Sequence, residues 1–309
     1  MHHRFIRGLR PAFCALFLAA AAALHAQEVV RLAWPTRNAA PPASASPEIA
    51  ACLPLLRSGV DRLPEAALVK LALLQSSALG LSKAEAGTLD ALVSQRYAAI
   101  AASPVFKAVP STLGYCLAET RPREGLALMY RPGRTDARTP VLVFVHGYGG
   151  SFIWYLHRLA EWFPDHLILC PSYGVDPSDL PAAYLAECLA AASARLKHPL
   201  AHPALLGLSA GGFGATRVYA ADPSSYRQLI VMAAYPPDDA FRAWPGSARA
   251  GWLVGEREDY VRDGGFAAYA KSLAARSTRF QSRVIPKADH FFLLTHPAET
   301  RRQLQAWLK

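Results

Sequence analysis

The sequence predicts an α/β fold: a mostly parallel central sheet with helices on both faces, preceded by a short α-helical N-terminal segment. Three observations point to it. From Thr139 onward, short apolar runs alternate with helix-length stretches, the order that right-handed βαβ units produce. Runs such as TPVLVFVHG are apolar throughout rather than at every second position, as strands covered on both faces require. A serine between two glycines, in Gly207-Leu208-Ser209-Ala210-Gly211, stands where one apolar run gives way to a helical stretch. With 309 residues, 52% hydrophobic and 18% charged, the chain is long enough for one large domain with a sizeable core.

Residues 1–26 read as an export signal. Arg4, Arg7 and Arg10 form a basic head, PAFCALFLAAAAALHA an apolar core, and Ala26 a small residue at the expected cut. About 14 apolar residues fall short of the roughly 20 that span a bilayer, so a membrane anchor is disfavoured. Cys14 lies inside the apolar stretch rather than at its end, which argues against a lipid anchor. An exported protein, periplasmic or secreted, is expected, with no stable membrane insertion after cleavage. Residues 27–46, rich in Pro, Ala and Ser, read as a flexible leader.

Residues 47–110 carry helical patterns: ACLPLLRSGVDRL, EAALVKLALLQSSALG, and a run opened by Ser82-Lys83-Ala84-Glu85. That tetrapeptide is a capping box, in which serine and glutamate each satisfy a free amide at a helix start. The main domain is expected over 111–309. TLGYCLAET and GLALMYRPG look like an antiparallel hairpin, and TPVLVFVHG like the first fully buried strand. Helices are expected at 151–163, 180–196, after Ser209, near Asp239, at 264–276 and at about 298–308. Between them fall strands at 166–172 and 204–208, then QLIVMAA, GWLVGE and FQSRVIP. No segment is long enough to form a large cap, and the stretch where a lid could be inserted holds only YPPDDAFRAWPGSARA, so the active edge is expected to be comparatively open.

Charge and cysteine content bound the function classes. Removing the signal takes the formal net charge from +10 to +7. The basic residues are scattered, without a stripe interleaved with aromatics, and a nucleic-acid partner is not expected. Cys52, Cys116, Cys170 and Cys188 remain, with no Cys-x-x-Cys or Cys/His spacing that would hold zinc. A Cys52–Cys116 disulfide is the preferred pairing, and four buried thiols the alternative.

Serine is a poor nucleophile at neutral pH unless a base lies within hydrogen-bond reach and a third group orients that base. His290 follows the last strand in VIPKADHFFLL, and acids follow the preceding strand in WLVGEREDYV. In a parallel sheet both loops emerge at the carboxyl edge, beside Ser209. The amide of Ala210, at a helix start, is one donor for a developing oxyanion. A second is expected from the loop His146-Gly147-Tyr148-Gly149-Gly150.

These motifs, in this order, resemble those of the α/β-hydrolase family from about residue 111 to the C-terminus. The resemblance implies Ser209 as nucleophile, His290 as base, Glu258 or Asp259 as acid, and the amides of Tyr148 and Ala210 as oxyanion hole. In that family the acid commonly stands three residues after the strand-ending glycine, which is Glu258 here. Asp259 is the more usual residue type, and a bulged loop presenting Asp259 is the favoured reading.

Other candidates rank lower. His296 is a rival base but stands near the last helix, where a surface or capping role is expected. His157, His166, His198 and His202 have no metal-ligand spacing, and His146 reads as loop scaffold. Asp238 and Asp239 are a minority alternative for the acid. Tyr148, Trp154, Tyr173, Tyr235 and Phe291 fall near the active edge, as pocket walls or as packing. The expected function is an exported serine hydrolase that cleaves a small-molecule or polymer ester through an acyl-enzyme, with no metal or organic cofactor. Amide or peptide cleavage, acyl transfer, and a non-catalytic binding role are the alternatives.

Overall fold

A computed structural model describes residues 26–42, 53–74, 81–241 and 244–309, the side chains of Asp238 and Asp239 excepted. The expected export signal, up to residue 25, and Cys52 lie outside the described residues. Among the described residues the eight strands are β1 (Glu28–Pro35), β2 (Glu124–Arg131), β3 (Val141–Val145), β4 (Leu167–Ser172), β5 (Ala204–Leu208), β6 (Gln228–Met232), β7 (Ala250–Gly255) and β8 (Phe280–Ile285). They form one sheet in the order β1-β2-β4-β3-β5-β6-β7-β8. The strand β2 runs antiparallel to β1 and β4, and every pair from β4 to β8 is parallel.

Alternation along each strand builds two cores. Leu142 and Phe144 of β3 face one layer, while Val141, Val143 and Val145 face the other. The first layer holds α3 (Lys83–Ala102), α5 (Ile153–Trp162) and the closing helix α11 (Pro297–Trp307). The second holds α6 (Ala182–Leu196), α7 (Ala210–Ala221) and α9 (Gly265–Arg276). Burial on both faces is why the central strands β3, β4 and β5 read as largely apolar runs. Sheet and layers are those of the α/β-hydrolase fold. The remaining α-helices among the described residues are α1 (Leu53–Val60), α2 (Glu65–Leu74) and the short α4 (Leu113–Cys116), α8 (Asp259–Arg262) and α10 (Phe292–Thr295). The capping box at Ser82 and Glu85 is formed in full. No described helix is long and apolar enough to cross a membrane.

Three expectations are corrected. TLGYCLAET is not a strand, because α4 occupies its centre, and the antiparallel partner of β2 is β1. Residues 28–35 are therefore sheet edge, not flexible leader. Leu32 and Trp34 are buried there, and Trp34 packs so closely on Gly125 that a Cβ at that position would meet its ring at 2.2 Å. Glu187 of α6 fastens the end of the strand, accepting from Trp34 Nε1 at 3.4 Å, from Thr36 Oγ1, and from Asn38 Nδ2 at 2.8 Å. Finally, Cys116 is a buried free thiol, as are Cys170 and Cys188, so the Cys52–Cys116 pairing is not formed.

The N-terminal helices are bound to the body by a buried carboxylate. Glu65, at the start of α2, accepts from Tyr97 Oη at 2.6 Å, Ser111 Oγ at 2.5 Å and the Ile153 amide at 2.7 Å. One side chain thus joins α2, α3 and the first turn of α5. Burial raises its pKa, outweighing the hydrogen bonds that lower it. Arg96 of α3 adds a 2.6 Å ion pair to Glu161 of α5.

Replacing Glu65 with alanine leaves three donors without their acceptor and is expected to cost about 2–4 kcal/mol, read by urea unfolding. Because the folded pKa is raised, the stability contributed by this proton site is complete below about pH 4.5 and is lost as pH rises through the folded value. Glu65→Gln should flatten that slope, so its stability relative to wild type should rise with pH.

Candidate active site

The site is built around a strained turn. Between β5 and α7, Ser209 adopts φ +51° and ψ −122°, a conformation costing on the order of 1–3 kcal/mol. It is held there by its own amide donating to Met232 O at 2.8 Å and by Gly212 N donating to Ser209 O at 2.8 Å. The flanking glycines are steric necessities. A Cβ on Gly207 would stand 2.3 Å from Gly211 O, and one on Gly211 would stand 2.3 Å from His146 O and 2.4 Å from Val145 O. Strand and helix cannot approach this closely with any larger residue. The turn projects the serine hydroxyl at the carboxyl edge of the sheet.

Two further side chains meet it there. His290 Nε2 lies 3.0 Å from Ser209 Oγ, and His290 Nδ1 lies 3.0 and 3.2 Å from the two carboxylate oxygens of Glu258. The loops carrying them are tied together: Glu256 N donates to Ile285 O at 3.0 Å and Arg257 N to Ala288 O at 2.8 Å. Asp289 stiffens the second loop by accepting from Phe291 N at 2.9 Å and Thr295 Oγ1 at 3.2 Å. A hydroxyl against an imidazole that is backed by a carboxylate can pass its proton to the ring.

The favoured acid, Asp259, is not the residue beside His290. Its side chain is 89% exposed and pairs with Arg262, whereas that of Glu258 is 9% exposed. The reason is helical phase. Glu258 is the extended residue capping α8 and Asp259 the first within it, and successive helical residues point roughly 100° apart. His296, the rival base, stands at the start of α11 with Nδ1 3.0 Å from Thr295 Oγ1. The side chains of Asp238 and Asp239 lie outside the described ones.

The loop His146–Gly150 lies against the serine: a Cβ on Gly147 would be 3.4 Å from Ser209 Cβ. Its direction is set by the buried His146. The Tyr173 amide donates to His146 Nε2 at 3.2 Å, which leaves the proton on Nδ1 to be donated to Gly147 O at 2.7 Å. Burial lowers the pKa of this ring to about 4, so it stays neutral and keeps that proton. The Gly147 carbonyl and the Tyr148 amide belong to one planar trans peptide and point in opposite directions. Fixing the first aims the second. Ala210, first residue of α7, has an amide with no intrahelical acceptor.

Beside these groups opens a cavity of about 380 Å³, which reaches Ser209, His290 and the Gly147–Gly149 loop. The expected open edge is walled instead, by Leu53 and Leu56 of α1, Leu68 and Leu73 of α2, and Leu89 and Val93 of α3. Of the aromatics singled out, Tyr148, Trp154 and Phe291 line the cavity. Tyr173 packs on Tyr184, and Tyr235 stacks on Tyr260. Sequence reasoning missed Glu65, whose position at a helix start reads as ordinary N-terminal acid.

A mostly parallel sheet layered by helices, with a strained serine between strand and helix, defines an α/β-hydrolase-fold protein. The proteins it is similar to include esterases. Over 116 residues the chain is 33% identical to the pimeloyl-(acyl-carrier protein) methyl ester esterase of Aeromonas salmonicida, covering 35% of this chain and 43% of that one. Over 108 residues it is 33% identical to the same-named esterase of Proteus mirabilis, covering 34% and 40%. The chain thus spans about two-fifths of the length of these curated relatives. Among solved structures, an esterase of Pyrobaculum calidifontis superposes with a TM-score of 0.47 at 22% identity, over 60% of this chain and 81% of that one. The naproxen esterase of Bacillus subtilis gives 0.45 at 13%, over 60% and 88%. No protein-family model matches the chain.

Two alanine substitutions should act in opposite directions. Gly211→Ala forces a Cβ against backbone oxygens and is expected to cost at least about 3 kcal/mol. Gly87→Ala, inside α3 with nothing within 4 Å, should gain about 0.5–1 kcal/mol. Urea unfolding reads both.

Proposed function

We propose that this protein is an exported serine esterase. One observation carries the reading: the hydrogen-bonded series Ser209 Oγ, His290 Nε2, His290 Nδ1, Glu258 carboxylate, at 3.0 Å for each contact. The similarity to proteins named as methyl ester esterases supports ester cleavage. The basic head and short apolar core of residues 1–26 support export.

In the proposed reaction Ser209 Oγ attacks the ester carbonyl while its proton passes to His290 Nε2. The carbonyl π pair moves onto oxygen, where the amides of Tyr148 and Ala210 receive the negative charge. Glu258 accepts from Nδ1–H, which fixes the tautomer and stabilises the imidazolium. The tetrahedral intermediate collapses, and the alcohol leaves with the proton from Nε2. Water then attacks the acyl-serine, giving its proton to His290, and a second collapse releases the acid and restores Ser209.

A fluorophosphonate should label the protein and fail to label Ser209→Ala; labelling that persists in the variant overturns the nucleophile. Glu258→Gln should lower kcat by about a thousandfold or more on a p-nitrophenyl ester. Asp259→Asn should stay within about twofold. Equal mild losses would place the orienting acid elsewhere, and turnover confined to peptides would replace the esterase reading with a peptidase. For export, N-terminal sequencing of the chain from fractionated cells should find Gln27 first, in the periplasm or medium.

A further inference from the structure

We propose that the helical N-terminal segment is a wall of the substrate pocket, and that the ester cleaved carries an uncharged aliphatic chain of about a dozen heavy atoms held between these helices and the body. This rests on the ester-cleaving function proposed above and names its substrate class.

Continuity is the first argument. The cavity that touches Ser209, His290 and Gly147 runs without interruption beneath α1, α2 and α3. A substrate whose carbonyl stands at Ser209 can therefore place a chain against Leu68, Leu89, Val93, Trp154, Leu293 and Leu294, which line the same cavity.

Chemistry is the second. Among the described residues no Asp, Glu, Lys or Arg lines the cavity, and the ionisable groups there other than His290 are the phenols of Tyr148 and Tyr155. Burial first, then the Glu65 charge, raises the pKa of Tyr155, so that phenol stays neutral. A carboxylate or ammonium at the end of the substrate chain would be buried without a partner, which is strongly unfavourable. An alkyl chain meets only matching surface.

Size is the third. About 380 Å³, at the roughly 30 Å³ that one water occupies in the liquid, corresponds to about a dozen heavy atoms. Each methylene moved from water into such a site should raise kcat/KM by about fourfold until the space is filled.

The wall is structurally committed. Glu65 holds α2 and α3 to the first turn of α5, and Thr112 Oγ1 donates to Ser151 O at 2.7 Å beside it. Such fixings suit a permanent side of a pocket.

The test uses the full chain and two ester series: p-nitrophenyl esters from acetate to dodecanoate, and alkyl acetates from methyl to decyl. A rise of about fourfold per methylene in either series, ending near a dozen heavy atoms, is the expected result. The series that rises identifies whether acyl chain or alcohol chain enters the cavity. A flat or falling dependence in both overturns the proposal. A terminal carboxylate on the preferred chain should lower kcat/KM at least a hundredfold against a methyl end, and equal turnover overturns it. Val93→Trp, which fills the cavity, should lower the ratio of long-chain to acetate kcat/KM at least tenfold. Val93→Ala, which keeps the result readable where the larger residue fails to fold, should move the optimum to longer chains. An unchanged ratio in a folded variant overturns the wall. Fluorophosphonate labelling separates the two readings: labelling with no chain dependence defeats this inference alone, whereas no labelling and no ester turnover defeats the esterase reading on which it stands.

Discussion

The close approach of α7 to the ends of β3 and β5 is the contact on which the site depends. With Gly211 Cα seated against the carbonyls of Val145 and His146, and Gly207 against Gly211 O, no side chain fits at either position. Ser209 between them takes a backbone conformation that would relax if the helix could retreat. The same contact fixes the position of the His146–Gly150 loop relative to the serine, because that loop begins at the carbonyl on which Gly211 rests. Steric packing thus sets the loop's position relative to the hydroxyl, and the hydrogen bonds of His146 set the direction of its amide.

A second level of order comes from polar groups that tie distant segments together. Glu187 holds β1, Glu65 holds the N-terminal helices, and the amides of Glu256 and Arg257 hold the acid-bearing loop to the histidine-bearing loop. Each joins parts of the chain that apolar packing alone would allow to slide. Buried polar contacts of this kind add little net energy compared with the core, but leaving one unsatisfied is costly, so they select a single arrangement.

This division explains what could be read in the chain. Strands β3 to β7 and the helices between them are local events, and their largely apolar runs announce them, whereas the edge strand β8 carries Gln281, Ser282 and Arg283 in its middle. Ser209 and the loop after β3 were legible because each follows an apolar run, and His290 because it stands in the loop between the last strand and the closing helices. The choice between Glu258 and Asp259 was not, since it turns on where α8 begins, and that follows from a loop clamped to Ala288. The edge strand β1 shows inward apolar positions in EVVRLAWP, but its partner β2 lies far along the chain and Pro- and Ala-rich sequence follows it. The helical patterns of 53–102 disclose apolar faces without disclosing that those faces stop short of filling the space above Ser209.

The groups proposed to react and the surface proposed to hold the chain come from different parts of the polypeptide. Ser209, Glu258 and His290 lie on loops after β5, β7 and β8, while much of the cavity wall lies on α1 to α3. Sequence drift in those helices is therefore free to lengthen, shorten or reshape the space without disturbing the contacts that strain the serine. Selection can retune what the protein accepts while leaving its chemistry intact, and related chains with the same loops but different N-terminal helices would be expected to have diverged in diet rather than in mechanism.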